Sequence, residues 1–307
     1  MASAELQRVR KLAAKLASII AEGFTEGRIV ELRARMDGSA LPPPAGTRVT
    51  AVDAGGVPAE WVRAPGADPG NRLLYFHGGG YVLGSLDSHR ELAARLSEAA
   101  GCSVLSVDYR LAPEHPFPAA VEDGVATLRW LRGHGPDSAA AASSLFMGGD
   151  SAGGGLVLAT LVAARDAGDA LPDAAVTLSA WTDLAGTGDS MQTRREVDPG
   201  GDQHRLDSMA RFYLNGADAR TPLASPLYAD LRGLPPLLMH VGDAEMLLDD
   251  TTRVAEKARA AGVEVTLEVW PEMIHGWHAY AGILPEGQQA IERVGQFLRA
   301  HAGARAR

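Results

Sequence analysis

Leu145-Phe146-Met147-Gly148-Gly149-Asp150-Ser151-Ala152-Gly153 reads as a short apolar strand running directly into the head of a helix that extends to Asp166. Gly149 to Gly153 fits the pattern G-x-S-x-G. That pattern is weak by itself and gains meaning from the strand before it and the helix after it. A serine on so sharp a turn sits in a strained backbone conformation, so small residues at 149 and 153 are needed to avoid clashes. The hydroxyl then points off the sheet, and the helix N-terminus behind it favours developing negative charge. A Gly-rich turn that binds a phosphate, or nothing, is the other reading of these residues taken alone.

Outward from this turn, short apolar runs alternate with helical stretches. Residues 73–76, 103–107, 145–147, 176–179, 237–241 and 263–269 read as strands. Residues 90–100, 121–131, 151–166 and 250–261 read as helices between most of them. The rhythm predicts a mostly parallel sheet with helices on both faces, an α/β fold. Residues 47–53 and 57–63 flank Ala54-Gly55-Gly56 and predict an antiparallel hairpin, while 288–300 is a closing helix.

Two segments break the rhythm. Residues 4–36 carry Leu6, Val9, Ala13, Leu16 and Ile20 at three- and four-residue steps, an amphipathic helical pattern. Asp37-Gly38 and Pro42-Pro43-Pro44 close it. Residues 184–229 are a long insertion between strands, polar and Gly-rich at 198–202, and an insertion of that length is more often functional than idle. Its apolar positions, Leu206, Met209, Phe212, Tyr213 and Leu214, fit an ordinary amphipathic helix as well as a pocket lining.

Two other stretches carry chemistry. His77-Gly78-Gly79-Gly80-Tyr81 follows the strand at 73–76, and consecutive glycines leave backbone N–H groups free to face a tetrahedral oxyanion. An H-G-G-G loop upstream of G-x-S-x-G is far more specific than either motif alone. His275, in Met273-Ile274-His275-Gly276-Trp277, follows the last strand, and the acids Asp243 and Glu245 follow the strand at 237–241. The order serine, acid, histidine is that of an α/β-hydrolase. A serine hydroxyl is a poor nucleophile until an imidazole takes its proton, and a carboxylate fixes the imidazole tautomer and stabilises the imidazolium.

Composition excludes several other classes. The chain has 307 residues, 46% of them hydrophobic and 22% charged, which rules out wholesale disorder. A net charge of −9 argues against nucleic acid as a partner. The single cysteine, Cys102, can form neither an internal disulfide nor a cysteine-cluster metal site. His275 and His278 lie three apart with no third ligand, so no metal is expected; His115, His240 and His278 read as packing or hydrogen-bonding residues. The glycines around Ser151 do not form G-x-G-x-x-G, so no nucleotide cofactor is expected. Residues 1–15 lack the apolar core of a signal peptide and no segment is apolar enough to span a bilayer. A soluble, cytoplasmic protein without membrane insertion is the expectation.

The chain resembles the hormone-sensitive-lipase family of bacterial carboxylesterases (family IV), within the α/β-hydrolase fold. Besides the loops at 77–81 and 149–154, the resemblance rests on the segment from Asp108-Tyr109-Arg110 through Pro113-Glu114-His115 to Ala120. Trp181-Thr182-Asp183-Leu184 and Leu223-Ala224-Ser225-Pro226-Leu227 also match. It implies a catalytic core at 46–183 and 230–307 and a helical cap from 1–45 and 184–229. It implies hydrolysis of short- to medium-chain acyl esters through an acyl-enzyme, with oxyanion donors at Gly78, Gly79 and Ala152 and Gly80 as the substitute for one of the first pair. Tyr109, Arg110 and Glu114 are implied to be a structural network, and a homodimer through the edge strand at 263–269 is a further expectation. A non-catalytic small-molecule-binding protein on the same scaffold, as in plant gibberellin receptors, is the alternative, and such receptors lack the histidine found here at 275. Amide or lactone hydrolysis would use the same nucleophile.

The family places an aspartate before Pro-Leu-x-Asp-Glu, where this chain has Glu245-Met246-Leu247-Leu248-Asp249-Asp250. Aligning Leu247 and Asp249 with the family leucine and aspartate puts Glu245 at the acid position, with Asp243 as its rival closer to the strand end. The expected set is therefore Ser151, Glu245 and His275.

Overall fold

The computed structural model describes residues 3–21 and 25–303. Eight strands form one sheet in the order β1-β2-β4-β3-β5-β6-β7-β8. β1 (Arg48–Asp53) and β2 (Pro58–Arg63) are the antiparallel hairpin expected around Ala54-Gly55-Gly56. β3 (Asp68–Phe76), β4 (Cys102–Val107), β5 (Ser144–Asp150), β6 (Ala174–Leu178), β7 (Leu237–Gly242) and β8 (Val265–Trp270) run parallel. β4, β6 and β7 are buried along their whole length, as strands covered on both faces must be, and this is why they read as unbroken apolar runs.

Nine helices frame the sheet among the described residues: α1 (Ala4–Ala21), α2 (Ile29–Gly38), α3 (Leu86–Ala100), α4 (Ala119–Leu131), α5 (Ala152–Asp166), α6 (Ser190–Thr193), α7 (Gln203–Leu214), α8 (Leu248–Ala260) and α9 (Pro285–Ala300). The two-residue side-chain period of the strands divides the core. Leu73, Tyr75, Val104 and Phe146 face Leu92, Leu96, Ile291, Val294 and Leu298 of α3 and α9. Leu74, Phe76, Leu105 and Met147 face the opposite layer, with Leu128 of α4, Leu156 of α5 and Val254 of α8. Each such side chain withdrawn from water contributes roughly 1.5–3 kcal/mol.

The helical pattern at 4–36 proves to be two helices, α1 and α2, with a short 3₁₀ turn at Glu26–Arg28 ahead of the second. Leu6 and Val9 of α1 are buried against Met273, Ile274 and Trp277, the loop that carries His275. The side chain of Ile20 lies outside the described residues. Arg10 ties α1 down further, donating to the carbonyls of Val197 at 3.1 Å and Glu272 at 2.8 Å. In the 184–229 insertion, Asp202 caps α7 by accepting from the His204 N–H at 3.1 Å, and Tyr213 stacks on Tyr81 with ring centroids 3.8 Å apart.

Candidate active site

The turn from β5 to α5 holds Ser151 at φ 53°, ψ −122°, a left-handed conformation that a residue with a Cβ adopts only under strain. The glycines on either side are sterically required. A Cβ on Gly149 would lie 2.5 Å from the Gly153 carbonyl oxygen, and one on Gly153 would lie 2.1 Å from the Phe76 carbonyl oxygen. Sharp curvature, with backbone from β3 pressed against it, is the physical content of the G-x-S-x-G spacing.

His275 reaches this turn from the loop between β8 and α9. Its Nε2 lies 3.0 Å from Ser151 Oγ and its Nδ1 lies 2.6 Å from Glu245 Oε2. Glu245 sits in the turn after β7 and is fully buried. Its other oxygen, Oε1, accepts the Gly242 N–H at 2.6 Å and the Ser179 hydroxyl at 2.9 Å. Burial opposes the charged form of His275, but the hydrogen bond and charge of Glu245, with the charges of Asp198 and Asp150, outweigh it and hold the imidazole pKa above its ordinary value. Asp243 points elsewhere, its Oδ1 accepting the Glu272 N–H at 2.6 Å. An imidazole so placed can take the Ser151 proton while the carboxylate stabilises the resulting cation.

A profile of the α/β hydrolase fold matches residues 73–279. An acetyl-hydrolase of Streptomyces hygroscopicus is 48% identical over 304 residues, 99% of each chain. A carboxylesterase of Mycobacterium tuberculosis is 37% identical over 228 residues, 72% of this chain and 70% of its own length. The crystal structure of an esterase from the bacterial hormone-sensitive lipase family superposes with a TM-score of 0.92 at 48% identity, covering 99% of this chain and 100% of that one. This chain belongs to the hormone-sensitive-lipase family of α/β-hydrolases.

The glycine loop of this family member lies across from Ser151. The Gly78 N–H is committed to Asp150 Oδ1 at 3.0 Å, and Gly78 does not line the cavity above the serine. Gly79 and Gly80 do line it, and neither N–H has a partner among the described residues. Gly79 has φ 120°, and a Cβ there would fall 2.2 Å from the Leu83 carbonyl oxygen, so no other residue fits. Ala152 is the first residue of α5, where N–H groups have no intrahelical acceptor. His77, the first residue of the motif, is buried behind the loop, stacked on Tyr109 at 4.4 Å. Burial, with His89 nearby, pushes its pKa down to about 3.

Asp150 joins these pieces. It accepts from the Tyr75 hydroxyl and the Gly78 N–H, and its Oδ2 lies 3.4 Å from His89 Nε2. Burial would raise its pKa, but His89 and the Tyr75 hydroxyl hold it at about 2. The family segments account for the supporting frame. Tyr109 donates to the His77 carbonyl at 2.8 Å, Arg110 pairs with Asp123, and Glu114 pairs with Arg33 of α2. Thr182 and Asp183 donate their N–H groups to Asp250 Oδ2, both at 2.8 Å. His240 and His278 form a buried pair, Nδ1 to Nε2 at 3.3 Å.

The cavity over Ser151 and His275 has a volume of about 220 Å³. Its walls include Leu16 of α1, Met36 of α2 and Leu206 and Met209 of α7, whereas Phe212, Tyr213 and Leu214 do not line it. Sequence reasoning missed Ser179, His89 and Arg205. Ser179 has φ 52° at the end of β6 and belongs to no motif, so nothing in its spacing marked it.

Proposed function

We propose that Ser151 is the nucleophile, His275 the general base and acid, and Glu245 the acid of a triad that cleaves short- to medium-chain acyl esters. This chain is a carboxylester hydrolase, as its esterase relatives are named. The observation that carries the residue assignment is the unbroken run from Glu245 Oε2 through His275 to Ser151 Oγ, at 2.6 and 3.0 Å, opening into the cavity.

Nε2 of His275 takes the Ser151 proton as Oγ bonds to the ester carbonyl carbon, and the carbonyl π electrons move onto oxygen. Backbone N–H groups of Gly79, Gly80 and Ala152 receive that oxyanion. Gly80 stands in this assignment in place of Gly78, whose N–H is held by Asp150. The imidazolium then gives its proton to the departing alkoxide, leaving an acyl-serine. A water molecule loses a proton to Nε2, attacks the acyl carbon and displaces Oγ, which recovers the proton. One ester and one water become one acid and one alcohol. A non-catalytic receptor role is disfavoured by the presence of His275 in contact with Ser151.

The small cavity supports the acyl-length assignment, since sites for drug-sized ligands start at about 300 Å³. Residues from α1, α2 and α7 line it, which supports the division into a cap of 1–45 and 184–229 over a core of 46–183 and 230–307. A cytoplasmic setting is part of the same reading. No helix among the described residues is long and apolar enough to cross a membrane, and the Cys102 thiol is buried with its pKa pushed up to about 12. A homodimer would pair β8, the edge strand on which Val269 is exposed. Hydrolysis rates across p-nitrophenyl esters from acetate to laurate test the function: kcat/KM should peak at or below hexanoate, and a maximum at laurate would refute the short-acyl reading.

A further inference from the structure

Arg205 of α7 lines the same cavity as Ser151 and His275 and forms no ion pair among the described residues. Its Nη2 donates to the Gly200 carbonyl, while Nε is buried without a hydrogen-bond partner and Nη1 makes none. Asp198 and Asp202 act on its charge, but neither forms an ion pair with it. Asp198 accepts the Gly200 N–H on Oδ1 and the Met246 N–H on Oδ2, both at 3.0 Å, and Asp202 accepts the His204 N–H at 3.1 Å. Across the cavity, Asp150 is held by Tyr75, Gly78 and His89. Burial lowers the Arg205 pKa while Asp202 and Asp198 oppose it, and a guanidinium starts so high that it stays charged. Most of the remaining wall is apolar, including Leu16, Met36, Leu206 and Met246.

Arg205 is half-buried, with Nε enclosed and Nη1 free of protein acceptors, so it presents a charged donor to a largely apolar cavity. Guanidinium groups are the donors best matched to carboxylates. We infer that Arg205 is a specificity residue that selects esters bearing a carboxylate away from the scissile bond. The inference rests on the esterase reading of Ser151 and names the substrate class: half-esters and acylated hydroxy acids rather than wholly neutral esters. The carboxylate can sit on the acyl or on the alcohol side, and the two sources call for separate substrates.

Two isosteric pairs decide the matter. On the acyl side, the p-nitrophenyl half-ester of adipic acid is compared with the p-nitrophenyl ester of adipic acid monoamide. On the alcohol side, the butyrate ester of 4-hydroxybenzoate is compared with that of 4-hydroxybenzamide. The wild-type ratio of kcat/KM, carboxylate over amide, should be about tenfold or more in at least one pair, as befits a charge-assisted hydrogen bond. Arg205→Gln should bring that ratio to unity or below, and Arg205→Lys should keep part of it. The ratio is taken within each protein, so a general loss of activity cancels. The wild-type ratio needs no variant to fold, and a value of one or less in both pairs would overturn the inference. A high ratio that Arg205→Gln leaves unchanged would overturn it too. Failure of the wild type to hydrolyse p-nitrophenyl butyrate would instead remove the esterase reading beneath it, and the inference with it.

Discussion

Ser179 donates its hydroxyl hydrogen to Oε1 of Glu245 at 2.9 Å, on the carboxylate oxygen opposite the one that meets His275. With the Gly242 N–H on the same oxygen at 2.6 Å, the carboxylate is anchored on one side and presented on the other. Glutamate is one methylene longer than the aspartate of the family pattern, and its Oε2 meets His275 Nδ1 at 2.6 Å.

Glu245→Gln should lower kcat by about a thousandfold or more, because an amide neither fixes the imidazole tautomer nor stabilises the imidazolium. Asp243→Asn should stay within a few-fold of wild type, since Asp243 holds the Glu272 N–H and does not reach His275. Steady-state kinetics on both variants, at matched thermal stability, check the assignment. A crippled Asp243→Asn beside a mild Glu245→Gln would reverse it.

The pH profile follows from the same contact. His275 must be neutral to accept a proton, and Glu245, with the charges of Asp198 and Asp150, holds its pKa above the ordinary 6.5 against the opposing effect of burial. Activity is therefore lost as pH falls through that raised value, so the acid limb of kcat/KM should lie above pH 6.5. In Glu245→Gln the limb should move to lower pH while the plateau drops. A limb that stays in place would show that Glu245 does not set the histidine's basicity.

Gly153→Ala should impair folding as well as catalysis. Its Cβ would lie 2.1 Å from the Phe76 carbonyl oxygen and 2.6 Å from that of His77, and backbone cannot yield as a flexible side chain would. A loss of at least 1–3 kcal/mol in urea-unfolding stability is expected, roughly the range for overpacking a close-packed site. A variant as stable as wild type would mean that the turn is looser than its geometry implies.

The elements legible in the sequence were those in which chemistry and backbone constraint coincide. Glycines at 149 and 153 mark a turn that tolerates nothing larger, and the buried parallel strands announce themselves as apolar runs. Glu245 was legible only through its register with Leu247 and Asp249. Residues that act through tertiary approach left no comparable trace. Ser179 comes from the end of β6 and His89 from α3, and neither sits in a motif. The glycine loop shows the limit most sharply: three consecutive glycines look alike in sequence, and only the Asp150 contact singles out Gly78. The pattern at 4–36 concealed a break because all of its marked apolar positions lie in α1, whose Leu6 and Val9 pack on different partners from Ile29 and Leu32 of α2.

Mass spectrometry after treatment with phenylmethylsulfonyl fluoride asks whether Ser151 is the nucleophile that His275 activates. Serine Oγ attacks the sulfonyl sulfur, fluoride leaves, and the proton passes through the imidazole. One adduct per chain is expected, on the peptide that contains Ser151, with activity lost in proportion to labelling and no adduct in Ser151→Ala. Full inactivation with Ser151 unlabelled, or an adduct that persists in Ser151→Ala, would contradict that role for Ser151.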